Sequence, residues 1–362
     1  RMASQNPTTA LELYEQLLAV RFRTQHAFAV ASEQNAFDAA LAVTNIGKGS
    51  EVIVPVLADR SAVEPLLKVG ATPIFCDVIA HTNFLHPDHL KQLVGPNTSA
   101  IMTVPMWGAP ATGSNELKLA GKMNIPVLNF ATHSIGAQTM GQWEGAMGTI
   151  GFMSSASNLA YNIGAGGIIT TGDDAVAEKL SSLDLQKLDE QTAEQAATRI
   201  QAFGENREML YLQGNVQTFN FGPVLDYMKP FFYKGSAVHS MVCNEYVLDS
   251  RVSALMPAHE VADFVEGTNL IPNYASYKIK LLTSDADLAE IHEQRPRASR
   301  FDNFPNAKIT RDSLLVFPVI PNSTDEAWGP LAEMIYNKLP KPYEPSFDVS
   351  AHLYSNRCKV QA

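Results

Sequence analysis

Between residues 26 and 180 the chain alternates short apolar runs with amphipathic stretches. This alternation is typical of βαβ units, which build a parallel sheet with helices on both faces. The apolar runs predict strands at residues 26–30, 51–55, 72–77, 100–105 and 126–129, with 148–153 and 167–171 adding a hairpin-like pair. Apolar residues at helical spacing predict a helix over residues 35–46, and an acidic first turn predicts a short one over 88–94.

The pattern changes after residue 183. Residues 183–208 are rich in Gln, Glu and Ala and show little apolar face, which predicts a connecting helix. Beyond an aromatic-rich stretch at 228–233, strands are predicted at 274–282 and 314–319 and a closing amphipathic helix at 326–339. We therefore expect an α/β protein with a large domain over residues 1–205, a smaller C-terminal α+β domain over 206–340, and a tail over 341–362.

Composition and charge limit the classes of molecule that the protein is expected to bind. The 362 residues include 27 basic and 37 acidic ones, a formal net charge of −10. Nucleic-acid and membrane-surface binding normally leave a basic footprint, so neither partner is expected. No apolar run approaches the roughly 20 residues that span a bilayer, and residues 1–16 are polar, so a cytoplasmic location is expected.

Two local patterns invite a ligand assignment but are better explained by structure. His81, His86 and His89 are spaced loosely and nothing supplies a fourth ligand at a typical distance along the chain, so no metal site is predicted. The GAGG run at residues 164–167 lacks the Lys-Ser/Thr of a P-loop and precedes a strand, so it predicts a tightly packed turn. The three cysteines, Cys76, Cys243 and Cys358, form no paired motif and are expected to be free thiols.

Several ordered segments together resemble one enzyme family. They are HAFAVASEQNAFDAALAVTNIGKGSEVIVPVLADRSAVEPLLKVGATPIFCDV (26–78), AIMTVPMWGAP (100–110), IPVLNFATHSIGAQTMGQWEGAMGTIGFMSS (125–155), GAGGIITTGDDAVAEKL (164–180) and FPNAKITRDSLLVFPVIPNSTDEA (304–327). The chain thereby resembles the DegT-type sugar aminotransferases, fold-type-I enzymes that use pyridoxal phosphate (PLP). This resemblance implies a large domain with a mostly parallel, seven-stranded-type sheet, a small C-terminal domain, and a dimer with active sites at the subunit interface.

The residues at the family's two central positions differ from the pattern. The position of the Schiff-base lysine falls on Leu159, or on Ser157 if a gap lies next to Asn158, and no Lys or Arg occurs between Lys122 and Lys179. The position of the aspartate that holds the pyridine nitrogen falls on Phe130, next to Asn129. No aspartate occurs between Asp88 and Asp173 that a shifted alignment could supply.

The remaining cofactor contacts are also altered. The Gly-Thr step that binds phosphate at a helix N-terminus corresponds to Glu33-Gln34, followed by Asn35, and a carboxylate there repels a phosphate dianion. The ring-stacking position falls on Asp59. Ser154 matches the phosphate-contacting serine, Trp107 an aromatic residue near the active-site mouth, and His133 a Gln beside the cofactor, where it could be a general base or a structural histidine.

These differences predict a pseudoenzyme that lacks PLP and transamination and serves as a scaffold, a regulatory subunit or half of a heterodimer with an active paralogue. A homodimer is the alternative assembly, and the pathway implied is sugar or polysaccharide biosynthesis. A second hypothesis is a PLP-independent enzyme or nucleotide-sugar binder that uses the polar pocket, including Thr132 and Ser155. A third is an active PLP-dependent sugar aminotransferase whose lysine comes from outside the interval 122–179.

Overall fold

The computed structural model describes residues 7–155, 164, 166–201, 227–230, 243–268, 279–294, 301, 303–318 and 325–341. The chain divides into two compact units. The first comprises Arg1–Arg207, Tyr233–Ser240 and Lys280–Ala307, and the second comprises Glu208–Phe232, Met241–Ile279 and Lys308–Ala362. The first unit thus includes Lys280–Ala307, a segment that the predicted boundary at residue 205 assigned to the smaller domain.

The first unit contains the large sheet. Its strands are β1 (His26–Val30), β2 (Glu51–Pro55), β3 (Thr72–Cys76), β4 (Thr98–Thr103), β5 (Val127–Phe130), the short pair β6 (Gln138–Thr139) and β7 (Gln142–Trp143), β8 (Ile150–Ser154) and β9 (Gly167–Thr171). Seven strands pair in the order β1-β9-β8-β5-β4-β2-β3, with β9 antiparallel to both neighbours and the other pairings parallel. The predicted strands are confirmed, with ends shifted by at most two residues.

Helices of the first unit cover the sheet. They are α1 (Ala10–Phe22), α2 (Glu33–Val43), α3 (Glu64–Lys68), α4 (Pro87–Leu93), α5 (Ser114–Met123), α6 (Asp174–Ser182) and α7 (Glu190–Gln201). The parallel strands are buried along nearly their whole length, which explains why they read as continuous apolar runs. Cys76, at the end of β3, is a buried free thiol.

Helix α7 corrects one expectation. The polar stretch 183–208 was expected to connect two domains, but the helix occupies only Glu190–Gln201 and packs against α1 within the first unit. Its buried face consists largely of Ala193, Ala196 and Ala197. Alanine contributes little to a hydrophobic pattern, so this face was missed. The carboxylate of Glu190 accepts the Ala10 N–H at 2.8 Å and thereby also satisfies a free backbone donor at the start of α1.

The second unit contains a small antiparallel sheet. Its strands β10 (Met228–Pro230), β11 (Cys243–Leu248) and β12 (Leu314–Pro318) pair in that order, and α8 (Ser250–Ser253), α9 (Ala258–Gly267) and α12 (Asp325–Lys338) accompany them. Tyr246 packs edge-on against Phe317 in its core. Helix α10 (Ala286–Glu293) lies in the first unit, and α11 (Pro305–Ser313) begins there. A strand was predicted over 274–282, and the structure describes residues 279–282 of it. The prediction is wrong there, because residues 279–281 have no regular structure and Leu282–Ser284 is a 3-10 turn.

Candidate functional site

The order of the strands opens a crevice at one edge of the large sheet. From β2 the chain moves outward to β3 and then returns to β4 on the other side of β2. The loops after β2 and β4 therefore diverge, and in open α/β sheets ligands bind in such crevices outside the carboxyl ends of the strands. Asp59 follows β2, Trp107 follows β4, and Thr132 and His133 follow β5. The structure thus places several predicted pocket residues at this crevice.

Thr132 and His133 lie in a 3-10 turn, Thr132–Ser134, and each contacts a carboxylate from a different loop. We call these two residues, together with Glu33 and Asp59, the crevice turn. The Thr132 hydroxyl donates to Glu33 Oε2 at 2.8 Å and accepts the Ser154 N–H at 2.9 Å. Since Glu33 begins α2 and Ser154 ends β8, one hydroxyl joins the carboxyl ends of β1, β5 and β8.

The second contact of the crevice turn joins an imidazole to a carboxylate. His133 Nε2 lies 3.0 Å from Asp59 Oδ2, and this contact lowers the pKa of Asp59 below its usual value. The Nε2 atom is shielded from solvent, whereas the His133 side chain as a whole is 25% exposed and that of Asp59 is 53% exposed. The nitrogen that faces Asp59 is therefore shielded from solvent, while other atoms of both side chains remain accessible to a ligand.

Backbone geometry fixes the position of His133. Gly108 N–H donates to the His133 carbonyl at 2.8 Å, which ties the loop after β4 to the turn after β5. Trp107, just before it, is buried and has a left-handed backbone with φ of 59°. A bulky residue in this conformation costs about 1–2 kcal/mol, and such strain clusters at functional sites.

Phe130 is packed into the core of the first unit. Its ring stacks on Phe152 at 5.4 Å between centroids and lies 5.3 Å from the ring of Phe37 on α2. Phe130 is fully buried. At the position where the resemblance implies a carboxylate for a pyridine nitrogen, the chain therefore has a hydrocarbon ring that packs against two other phenylalanine rings.

Other predicted pocket residues are engaged elsewhere. Gln34 is exposed and donates to Asp38 along its own helix at 2.7 Å. Asn35 is part of the start of α2, where its N–H donates to the Ser32 hydroxyl at 3.1 Å. Ser155 contacts the backbone just before β9, since its hydroxyl donates to the Gly166 carbonyl at 3.0 Å. Ser157, Asn158 and Leu159 lie outside the described residues.

Asn129 belongs to a buried polar cluster that the sequence analysis missed. Its amide donates to Thr103, Thr112 and Glu144 at 3.0–3.1 Å, and Glu144 also accepts the Ala111 and Thr112 N–H groups. We call Asn129, Thr103, Thr112 and Glu144 the Glu144 cluster. All four are fully buried, and burial raises the pKa of Glu144. The only signal in the sequence was that Glu144 is the one Asp, Glu, Lys or Arg residue between residues 123 and 172.

The three neighbouring histidines do not form a metal centre. His89 is buried and its Nδ1 accepts the Asp77 N–H at 2.9 Å, and His86 packs on Phe301 at 4.3 Å. Across the described ranges, no group of three or more His, Cys, Asp or Glu side chains could hold a metal ion. Nor does any described helix have both the length and the apolar character to cross a bilayer.

Comparison with known proteins identifies the family. Residues 5–221 match the model of the DegT/DnrJ/EryC1/StrS aminotransferase family, which is more than half of the chain. The chain belongs to this family. It is 33% identical over 176 residues to a GDP-perosamine synthase of Caulobacter vibrioides, a match that covers 49% of this chain and 47% of that protein. The matched region thus spans about half the length of that relative.

Solved structures share the fold over almost the whole chain. An aminotransferase from Psychrobacter cryohalolentis superimposes with a TM-score of 0.77 at 18% identity, covering 91% of this chain and 92% of its own. The Escherichia coli GDP-4-keto-6-deoxy-D-mannose-3-dehydratase with bound hydrated PLP gives 0.72 at 18% identity, covering 90% and 91%. These neighbours establish a fold like that of PLP aminotransferases, with a large seven-stranded sheet.

The comparisons overturn the prediction that the chain has no cofactor. That prediction is wrong because the family is one of PLP-dependent sugar aminotransferases and a structural neighbour carries PLP. At the positions where the resemblance leads us to expect the pyridine carboxylate and the phosphate step, the structure has the buried ring of Phe130 and the carboxylate of Glu33, which do not fit these contacts. We therefore derive no reaction step through the cofactor.

Proposed function

We propose that this chain binds a nucleotide-linked sugar and does not transfer an amino group through a lysine at the family's position. The observation that carries the proposal is the absence of Lys and Arg from residues 123–178, the interval that holds this position. A primary amine is what links an enzyme covalently to PLP. The proposal concerns that covalent link only and leaves PLP as the cofactor of the family.

The crevice supports the sugar part of the proposal. Glu33, Asp59, Thr132 and His133 supply carboxylate, hydroxyl and imidazole groups, which suit the hydroxyl groups of a sugar. The names of two similar proteins contain a GDP-linked sugar, GDP-perosamine and GDP-4-keto-6-deoxy-D-mannose. On this basis we propose a role in sugar or polysaccharide biosynthesis, as a scaffold, a regulatory subunit or one half of a dimer with itself or with an active paralogue.

An ordinary PLP-dependent sugar aminotransferase is the second candidate. The family match over residues 5–221 and the 33% identity to a synthase of an aminated sugar favour it. This candidate needs a lysine from outside residues 123–178. Lys187 is one such lysine among the described residues, and its backbone pairs with that of Val30 at the carboxyl end of β1.

An assay of binding and amine transfer separates the two candidates. The protein is incubated with PLP, GDP-4-keto-6-deoxy-D-mannose and an amino donor, and calorimetry measures binding of the same sugar nucleotide. We expect saturable binding without an aminated product. Turnover to an aminated sugar that is lost in a Lys187→Ala variant and kept in the matched exposed variant Lys179→Ala would establish the second candidate.

A further inference from the structure

We propose that His133, positioned by Asp59, is a proton acceptor for the carbon next to the keto group of a nucleotide-linked keto sugar. The inference rests on the proposed function, because the substrate class comes from it. It goes further by assigning a reaction, reversible proton removal, and a residue for each role. His133 is the catalytic residue and Asp59 is a positioning residue.

The orientation of the Asp59 side chain is the first support. Asp59 stands immediately before the 3-10 turn Arg60–Ala62, a position at which an aspartate side chain commonly accepts a backbone N–H. Here the side chain makes no such bond and lies against His133 Nε2 instead. The carboxylate is thus used to hold an imidazole from another loop, the arrangement that orients a general base.

The position of the imidazole is the second support. The His133 carbonyl accepts the Gly108 N–H. The His133 ring lies edge-on to the ring of Phe130, with 6.4 Å between the centroids. Three loops of the crevice therefore fix one imidazole. Because Nε2 faces Asp59, we assign Nδ1 to the substrate.

A second imidazole–carboxylate pair in the chain provides an internal control. His26 Nε2 lies 2.7 Å from Asp174 Oδ1, a contact shorter than that of the crevice pair. His26 begins β1, so this pair lies at the end of β1 opposite to the end that carries Glu33. It pairs the same two groups at the opposite edge of the sheet, and should have no role in the reaction.

The proposed step balances without a further reactant. The neutral imidazole nitrogen takes the proton, the C–H bond breaks, and its electron pair forms an enolate with the keto oxygen. The carboxylate of Asp59 stabilises the imidazolium that results. Return of a proton from the imidazolium restores the ketone, and in D2O the solvent exchanges that proton for deuterium first.

Exchange in D2O tests the assignment. The protein is mixed with GDP-4-keto-6-deoxy-D-mannose, and proton NMR follows loss of the signals from the carbons beside the keto group. We expect His133→Gln to lower the enzyme-dependent exchange rate at least about 100-fold. Asp59→Asn should lower it less and change its pH profile, while His26→Gln and Asp174→Asn should leave it within about twofold.

Binding measured on the same samples separates the proton-acceptor role of His133 from the proposed binding of a sugar nucleotide. Circular dichroism checks that each variant is folded, and calorimetry measures the affinity for the sugar nucleotide. Binding without exchange in the unmodified protein, or exchange that survives His133→Gln, overturns the proton-acceptor role and leaves the proposed function standing. Absence of binding overturns both.

Discussion

Two polar clusters at the carboxyl edge of the large sheet use similar groups in opposite settings. In the Glu144 cluster every member is fully buried, and the carboxylate accepts from two backbone N–H groups, a hydroxyl and an amide. In the crevice turn the Asp59 side chain is half exposed and lies 3.0 Å from Nε2 of His133, whose side chain is itself partly exposed. The first arrangement stabilises the fold, and the second leaves groups that a ligand can reach.

The pKa shifts in these regions have opposite signs. Burial raises the pKa of Glu144, because removal from water disfavours the charged carboxylate. The His133 contact lowers the pKa of Asp59, because it favours the charged carboxylate. The pH dependence of stability should therefore distinguish Glu144, whose burial disfavours ionisation, from Asp59, which the His133 contact keeps ionised.

The largest expected effect comes from removing the buried carboxylate. Glu144→Ala leaves two backbone N–H groups and two side chains without their acceptor, which should lower the free energy of unfolding by about 3–5 kcal/mol. Glu33→Ala, the matched change in the crevice turn, should cost about 1 kcal/mol or less. Urea unfolding of both variants measures the difference, and equal losses would contradict the contrast between the clusters.

Glu116, a second buried acid, gives a pH-dependent prediction. Burial raises its pKa to about 7 from a usual 4.5. The folded state therefore holds a proton that the unfolded state releases, so the contribution of Glu116 to stability falls by about 3 kcal/mol as pH rises from 4.5 to 7. Glu116→Gln should remove this dependence. Melting temperatures measured across that range test it, with Asp88→Asn, an exposed acid, as the control.

Asp59→Asn should have a small effect with the opposite pH dependence. Because the pKa of Asp59 is lowered, its contribution is present above its unfolded value near 3.8 and is lost as pH falls through the lower, folded value. The pair is half exposed, so we expect less than about 1 kcal/mol at neutral pH. Unfolding at pH 7 and at pH 2–3 should show the difference between variant and unmodified protein shrinking; a difference that grows in acid would contradict it.

Much of the first unit could be predicted from sequence because its signals are local. Each strand of the large sheet is a short apolar run bounded by polar residues, and β1, β2 and β9 begin and end where the pattern predicts. Helix α7 was misinterpreted because alanines form its buried face. Residues 279–282, the described end of a predicted strand, were misinterpreted, because apolar residues alone do not supply a pairing partner.

The candidate site could be predicted only in part. The sequence placed Asp59 and His133 in one pocket, but their contact depends on loops that are 74 residues apart, as 133 − 59 gives. Asn129 was expected in the pocket and instead belongs to the Glu144 cluster, because which side of a strand end a residue occupies depends on the final packing. The cofactor expectation failed because substitutions at single positions say less about the cofactor than family membership does.

The central proposal, that this family member makes no lysine-linked adduct with PLP, has a direct test. The protein is saturated with PLP, reduced with borohydride, digested and analysed by mass spectrometry. We predict that no lysine carries a stoichiometric pyridoxyl group. One adduct per chain on a single lysine would contradict the proposal.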